Sequence, residues 1–219
     1  MNSSFESHLA TPKDGALSLW WVILYLGLHL LVGQIFFGPY VFLFLRVLFI
    51  LVVVGVLLRR RNWEALRRIF LGRWLTRRKD WILALGFTVA ILVSRLVLSS
   101  VSGAQSSPPT LNEFLLTAMV PSINEEIVFR GMILGALMAH SPARHAGAVL
   151  LSSLLFVGCH HLGNPVPLGF LIALSVQSLL YGFCFVTTRC LPLCMFLHLL
   201  WNAFWVLSNG GTAMLPPHI

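Results

Sequence analysis

An all-α, polytopic membrane helix bundle is the fold class this sequence predicts, and three observations predict it. The chain of 219 residues is 58% hydrophobic and only 10% charged, with a mean hydropathy of +0.86, whereas soluble domains carry about 25% charged residues. Its apolar runs are far longer than a strand and lack period-two alternation. Between those runs, positive charge gathers on alternate connections. At about 20 residues per span the length suits a single domain of six to eight helices. The apolar runs place about seven transmembrane helices, at 17–37, 40–58, 81–100, 111–139, 146–161, 166–187 and 191–208. A basic amphipathic interfacial helix joins them.

The N-terminal MNSSFESHLATPKDG is polar and mixed in charge, and the apolar run after it exceeds a signal h-region, so no cleavable signal is expected. The first span carries a lone His29 and the second Arg46. Nine of the fifteen Lys and Arg then fall in RRRNWEALRRIFLGRWLTRRK (59–79). There Trp63, Leu66, Phe70 and Trp74 recur at helical spacing, with Arg67, Arg68, Arg73 and Arg77 largely on other faces. Such a helix lies on an anionic lipid surface. The net charge of +8 and pI near 10.2 therefore point to membrane lipids and exclude a nucleic-acid partner.

Arg144 and Arg189 mark two further basic connections, while 38–39, 101–110 and 162–165 contain no Lys or Arg. By the positive-inside rule the basic loops are cytoplasmic, the N-terminus is cytoplasmic and the C-terminus outside. The expected location is the cell (inner) membrane. Arg95 and Arg46 lie close enough to span ends to snorkel to the interface. SSVSGAQSSPPT (99–110) is an external loop. Cys159, Cys184, Cys190 and Cys194 form no CxxC pair and act as small buried hydrophobes. The chain divides into N-terminal spans with the basic loop (1–110), a core (111–208) and a short tail (209–219).

PSINEEIVFRG (121–131) places three charges inside an apolar run. Each costs about 2.5–3.5 kcal/mol at a helix centre on insertion scales, so they need compensation or a function. Pro121 starts or kinks a helix, and Ser122 with Glu125 three residues on matches a capping box. Glu126 and Arg130, four apart, share a helical face and can pair. Glu125 is rotated by about 100° from Glu126 and is left less directly compensated. A structural ion pair plus a cap, and a proton-transfer site, both fit this stretch alone.

Two more stretches tip the balance towards chemistry. LLFVGCHH (154–161) puts His160 four residues after Phe156, beside His161, and MFLHLLWNAF (195–204) puts His198 and Asn202 on one face of the last span. Polar groups inside membranes usually face the bundle interior or a water cavity. Three spans would thus converge on a set able to drive hydrolysis by water. A glutamate takes a proton from water with a histidine's help. A histidine and an asparagine stabilise the oxyanion, and burial limits bulk water.

The order EEIVFR (125–130), FVGCH (156–160) and HLLWN (198–202) resembles the type II CAAX prenyl endopeptidases and their bacterial relatives, the CAAX protease and bacteriocin-processing (Abi) family of intramembrane proteases. The resemblance covers roughly 111–208. It implies that Glu125 is the base that activates water, that His160 is its partner, and that His198 and Asn202 stabilise the oxyanion. Glu126, Arg130 and Phe156 would support them. It implies a peptide or lipidated protein substrate. The family has been described both as metal-independent and as metal-dependent; if zinc is bound, Glu125, His160 and His198 are its expected ligands. A proton-coupled transporter, or a non-proteolytic scaffold or immunity protein, is the alternative for the same buried residues. The inferred topology sets His160 and Glu125 towards the outer side, while a CAAX substrate arrives from the cytoplasm.

Overall fold

Many large hydrophobic side chains of the described helices face outward, while Asp80, Arg95, Glu125, Glu126 and Arg130 are buried. The computed structural model describes residues 39–59, 75–99, 109–140, 145–163 and 167–209, together with Leu24 and Trp63. The expected first span with His29, most of the basic 59–79 helix, the side chain of Arg46, the loop at 100–108, Arg144 and the tail lie outside the described residues.

Helix α1 (Pro39–Arg59) opens on a proline, which loses no hydrogen bond at a helix start. Helix α2 (Arg78–Ser99) opens with Asp80 in its first turn, where Oδ2 accepts the Arg77 backbone N–H at 3.3 Å. Along α2, Trp81, Leu85, Val89, Val93 and Leu96 are exposed, while Asp80, Ala84, Ile91 and Arg95 are buried. Helices α7 (Leu168–Thr188) and α8 (Leu191–Asn209) repeat the pattern. Ile172, Phe183, Phe196, Phe204 and Leu207 face out, and Gln177, Ser178, Tyr181, His198 and Asn202 face in. An exterior this apolar over a polar interior is stable against lipid and not against water.

Arg78–Val97 and Leu168–Thr188 are long and apolar enough to cross a membrane, and shorter apolar stretches lie at Val47–Val56, His145–His161 and Leu191–Leu207. The described residues form an all-helical bundle; the count of seven spans goes beyond what these helices show.

Residues 111–140 form one unbroken helical run rather than two helices. It comprises α3 (Leu111–Phe114), a π segment (Leu115–Met119), α4 (Val120–Glu126), a second π segment (Ile127–Leu134) and α5 (Gly135–His140). Pro121 lies within the run, just after the first π segment. A proline cannot donate to the helix and its ring crowds the carbonyl a turn earlier; a widened turn absorbs that misfit. Ser122 is consequently no N-cap: α4 is capped by Met119 without a side-chain bond, and the Ser122 hydroxyl donates back to the Ala118 carbonyl. The expected capping box is absent because the chain never leaves the helix there.

Helix α6 (His145–Gly163) packs most extensively on α7, and α7 and α8 both pack on α2. Gly182 lets α6 and α7 approach closely: a Cβ there would stand 2.7 Å from Val149 Cγ1. The α7–α8 turn is made by Arg189 at φ 57°, a left-handed cap whose N–H reaches the Phe185 carbonyl at 2.8 Å. Two apolar clusters flank the 111–140 run. One gathers Phe49, Val53, Val128, Met132 and Phe156; the other gathers Ile127, Tyr181, Leu197 and Trp201. All four cysteines are buried free thiols.

Candidate active site

Helix α4 and the π segment after it carry Glu125, Glu126 and Arg130, all of them buried. Glu126 and Arg130 pair as their spacing requires, with Arg130 Nη1 3.2 Å from Glu126 Oε1. The pair is not self-sufficient. Arg130 Nη2 donates to the backbone carbonyl of Ser178 at 2.9 Å and to its hydroxyl at 2.8 Å. Its guanidinium also lies 5.0 Å from the Phe156 ring centre and 5.4 Å from that of Tyr181. Arg130 thereby ties α7 to the 111–140 run and rests against α6.

The same oxygen of Glu126 receives His198 Nδ1 at 2.9 Å. Paired with Arg130, that carboxylate oxygen is an acceptor, so His198 carries its hydrogen on Nδ1. Tyr181 stacks on the imidazole with ring centres 5.0 Å apart. The Tyr181 hydroxyl is held in turn, accepting from Gln177 Nε2 at 3.1 Å and donating to the Leu197 carbonyl at 3.3 Å. His198 is fixed in tautomer and in plane.

His160 is fixed in a parallel way. Its Nδ1 meets the Phe156 carbonyl at 2.8 Å, which only accepts, so this hydrogen is also on Nδ1. Both histidines then turn Nε2 towards Glu125 Oε2, His160 at 3.7 Å and His198 at 3.9 Å. Glu125 is 5% exposed, while the His160 side chain is 25% exposed, so the gap between them is the wetter edge of the site. Asn202 sits one turn beyond His198 and donates from Nδ2 to the Ser122 hydroxyl at 3.2 Å.

The structure thus brings Glu125, His160 and His198 to one point, with Asn202 adjoining along α8. Glu126, Arg130 and Phe156 stand behind them, and His161 is exposed. Sequence reasoning missed Gln177, Ser178 and Tyr181. For all three the sequence holds a signal: polar residues at helical spacing in SVQSLLYG, inside an apolar span. Ser122, whose chemistry fits a cap, instead accepts from Asn202.

Three acceptors around one gap suit a water that donates to two of them and keeps a lone pair free. They are also the donor types of a zinc site. Tetrahedral ligands at about 2.0–2.1 Å from a metal stand about 3.3–3.5 Å apart, closer than the 3.7 and 3.9 Å found. Among the described residues, no three or more His, Cys, Asp and Glu side chains are arranged to hold a metal ion. No catalytic step is therefore derived through one.

The site is thus a buried carboxylate–histidine centre within a helical bundle whose outer faces are largely apolar. Residues 107–204 match the family model described as Type II CAAX prenyl endopeptidase Rce1-like, in support of the resemblance that the ordered motifs carry. Comparisons with curated proteins and with solved structures give no match.

Proposed function

We propose that the protein is an intramembrane endopeptidase that hydrolyses a peptide bond in a membrane-associated peptide or CAAX-type protein, using water activated by Glu125. The observation that carries this reading is the convergence of His160 Nε2 and His198 Nε2 on Glu125 Oε2, each imidazole locked by its own Nδ1–H. Water in this gap gives one hydrogen bond to Glu125 and one to a histidine, and its lone pair attacks the scissile carbonyl carbon. A C–O bond forms, the carbonyl electrons move onto oxygen, and the water's proton passes to Glu125.

The second N–H of Asn202 Nδ2 meets the oxyanion. His198 is the less direct donor. With its hydrogen committed to Glu126, it donates from Nε2 only after taking up a proton. Collapse breaks the C–N bond, and Glu125 returns its proton to the leaving amine. The substrate class follows the family, whose description points to a prenylated peptide.

The test is cleavage of a membrane-inserted peptide library in proteoliposomes, read by mass spectrometry. Glu125→Gln is expected to lose about 10²–10⁴ in turnover while keeping its thermal midpoint. Wild-type cleavage by that variant refutes the mechanism. Proton flux without proteolysis of any peptide would favour a transporter. Metal content and turnover after chelation separate the glutamate mechanism from one that binds zinc at Glu125, His160 and His198; the expected result is full turnover without stoichiometric metal.

A further inference from the structure

Arg95, expected to snorkel, is instead buried against α8, its guanidinium carbon 4.8 Å from the Trp205 ring centre and 6.0 Å from that of Trp201. Exposed positive charge gathers at the other end of α2, on Arg77, Arg78 and Lys79. Arg77 is committed to Asp80, its Nε 3.5 Å from the buried Oδ2. Among the described residues, Arg78 and Lys79 belong to no ion pair. Arg189, at the same end of the bundle, turns its Nη1 towards the Met138 sulfur at 3.5 Å.

At this end α2 and α8 leave a groove of about 240 Å³ between them, lined by Leu75, Trp81, Cys190, Pro192, Leu193 and Phe196. Trp81 and Phe196 are exposed, so the groove opens to the outside of the bundle. Phe196 stands two residues before His198, about 200° round the helix from it. The groove is therefore separate from the Glu125–His160–His198 gap and turned away from it.

The chemistry of the groove selects its occupant. Its walls are hydrocarbon, aromatic ring and thiol. A peptide lying there would leave backbone N–H and C=O groups without partners, whereas a hydrocarbon chain carries none. Tryptophan is the residue that marks the headgroup level of a bilayer. Arg77 and Arg78 precede Trp81 by four and three residues and so share its face of α2. Basic clusters between membrane helices hold anionic headgroups, and a guanidinium matches a phosphate in shape and charge. An uncharged isoprenoid tail would fill the groove and leave Arg78 and Lys79 unmatched.

From this juxtaposition we propose that the groove between α2 and α8 is a binding site for one anionic glycerophospholipid of the surrounding bilayer. An acyl chain lies along Trp81, Leu193 and Phe196, and the phosphate meets Arg78 with Lys79 adjoining. The lipid bridges the starts of α2 and α8. The proposal goes beyond the peptidase reading and does not depend on it.

The experiment uses the full chain in detergent micelles, with bound lipid counted by native mass spectrometry. Dioleoyl phosphatidylglycerol and dioleoyl phosphatidylcholine share their chains and differ in net charge. The first is expected to bind at one per chain and on the order of tenfold tighter, from the two unpaired charges. Arg78→Gln/Lys79→Gln should bring the two lipids within about twofold of each other, while Arg78→Lys/Lys79→Arg keeps the preference. Leu75→Trp fills the groove from its partly exposed rim, leaves every charge in place and should weaken both lipids by on the order of tenfold. If that variant does not fold, dihexanoyl phosphatidylglycerol on the parent protein carries the same test, and its short chains should likewise bind on the order of tenfold more weakly.

Equal binding of the two dioleoyl lipids, or a preference that survives the double glutamine change, overturns the proposal. So does a preference indifferent both to Leu75→Trp and to chain length, which would be diffuse attraction to a basic surface. Displacement of the phosphatidylglycerol by a prenylated peptide, unaffected by the changes at Arg78 and Lys79, would assign the groove to a substrate's tail and overturn it too.

Discussion

Replacing Arg130 with methionine tests whether the buried Glu126–Arg130–His198 cluster is a unit. The substitution keeps much of the side-chain length but removes the charge 3.2 Å from Glu126 and both donors to Ser178. Glu126 is fully buried, so its carboxylate is left with His198 alone. Removing one partner of a buried ion pair costs about 3–5 kcal/mol, most of it the penalty of the charge left behind. The two bonds to Ser178 overlap with that figure, because the same guanidinium makes them, and are not added to it. Arg130→Met is thus expected to destabilise by about 3–5 kcal/mol.

The double variant Glu126→Gln/Arg130→Met leaves no isolated charge and should recover about 1.5–2 kcal/mol relative to the sum of the single changes. The assay is reversible unfolding in mixed micelles, followed by tryptophan fluorescence, on all four proteins. Additivity within about 0.5 kcal/mol, or an Arg130→Met protein as stable as the parent, would refute the reasoning.

Gly182→Ala forces a methyl to within 2.7 Å of Val149 Cγ1, on a buried side chain that cannot swing away. A loss of about 1–3 kcal/mol is expected, with recovery in Val149→Ala/Gly182→Ala; a melt showing no loss in the single variant would mean that α6 and α7 are less closely packed. Asn202→Ala removes one neutral hydrogen bond, to Ser122, and is expected to cost about 0.5–1.5 kcal/mol of stability. Its turnover should fall by about 10²–10³ if Asn202 also meets the oxyanion, and a loss of stability without a loss of turnover would confine it to packing. Tyr181→Phe keeps the stack on His198 but removes the hydroxyl between Gln177 and the Leu197 carbonyl; a modest stability loss with turnover retained is expected, and abolished cleavage would give the hydroxyl a role in the chemistry.

Periodicity and composition alone determined that this chain is helical and membrane-borne, because apolar runs of this length have no other stable state in lipid. They also determined that Glu126 faces Arg130 and that Glu125 faces elsewhere, since four residues nearly complete a helical turn and one residue turns about 100°. The ordered motifs were enough to point to the family model that residues 107–204 match. What the sequence could not carry was every relation between helices. Ser122 has a good cap's chemistry, and only the unbroken π-containing run converts it into the acceptor for Asn202. Arg95 sits near enough to a span end to snorkel, and only the packing of α2 on α8 decides that it turns inward beneath Trp205. The polar residues of α7 attracted no attention as a sequence, yet Ser178 and Tyr181 fix the arginine and the histidine behind Glu125. Periodicity states which face a residue is on; which neighbour meets that face depends on how separate helices pack, and that is a property of the whole bundle.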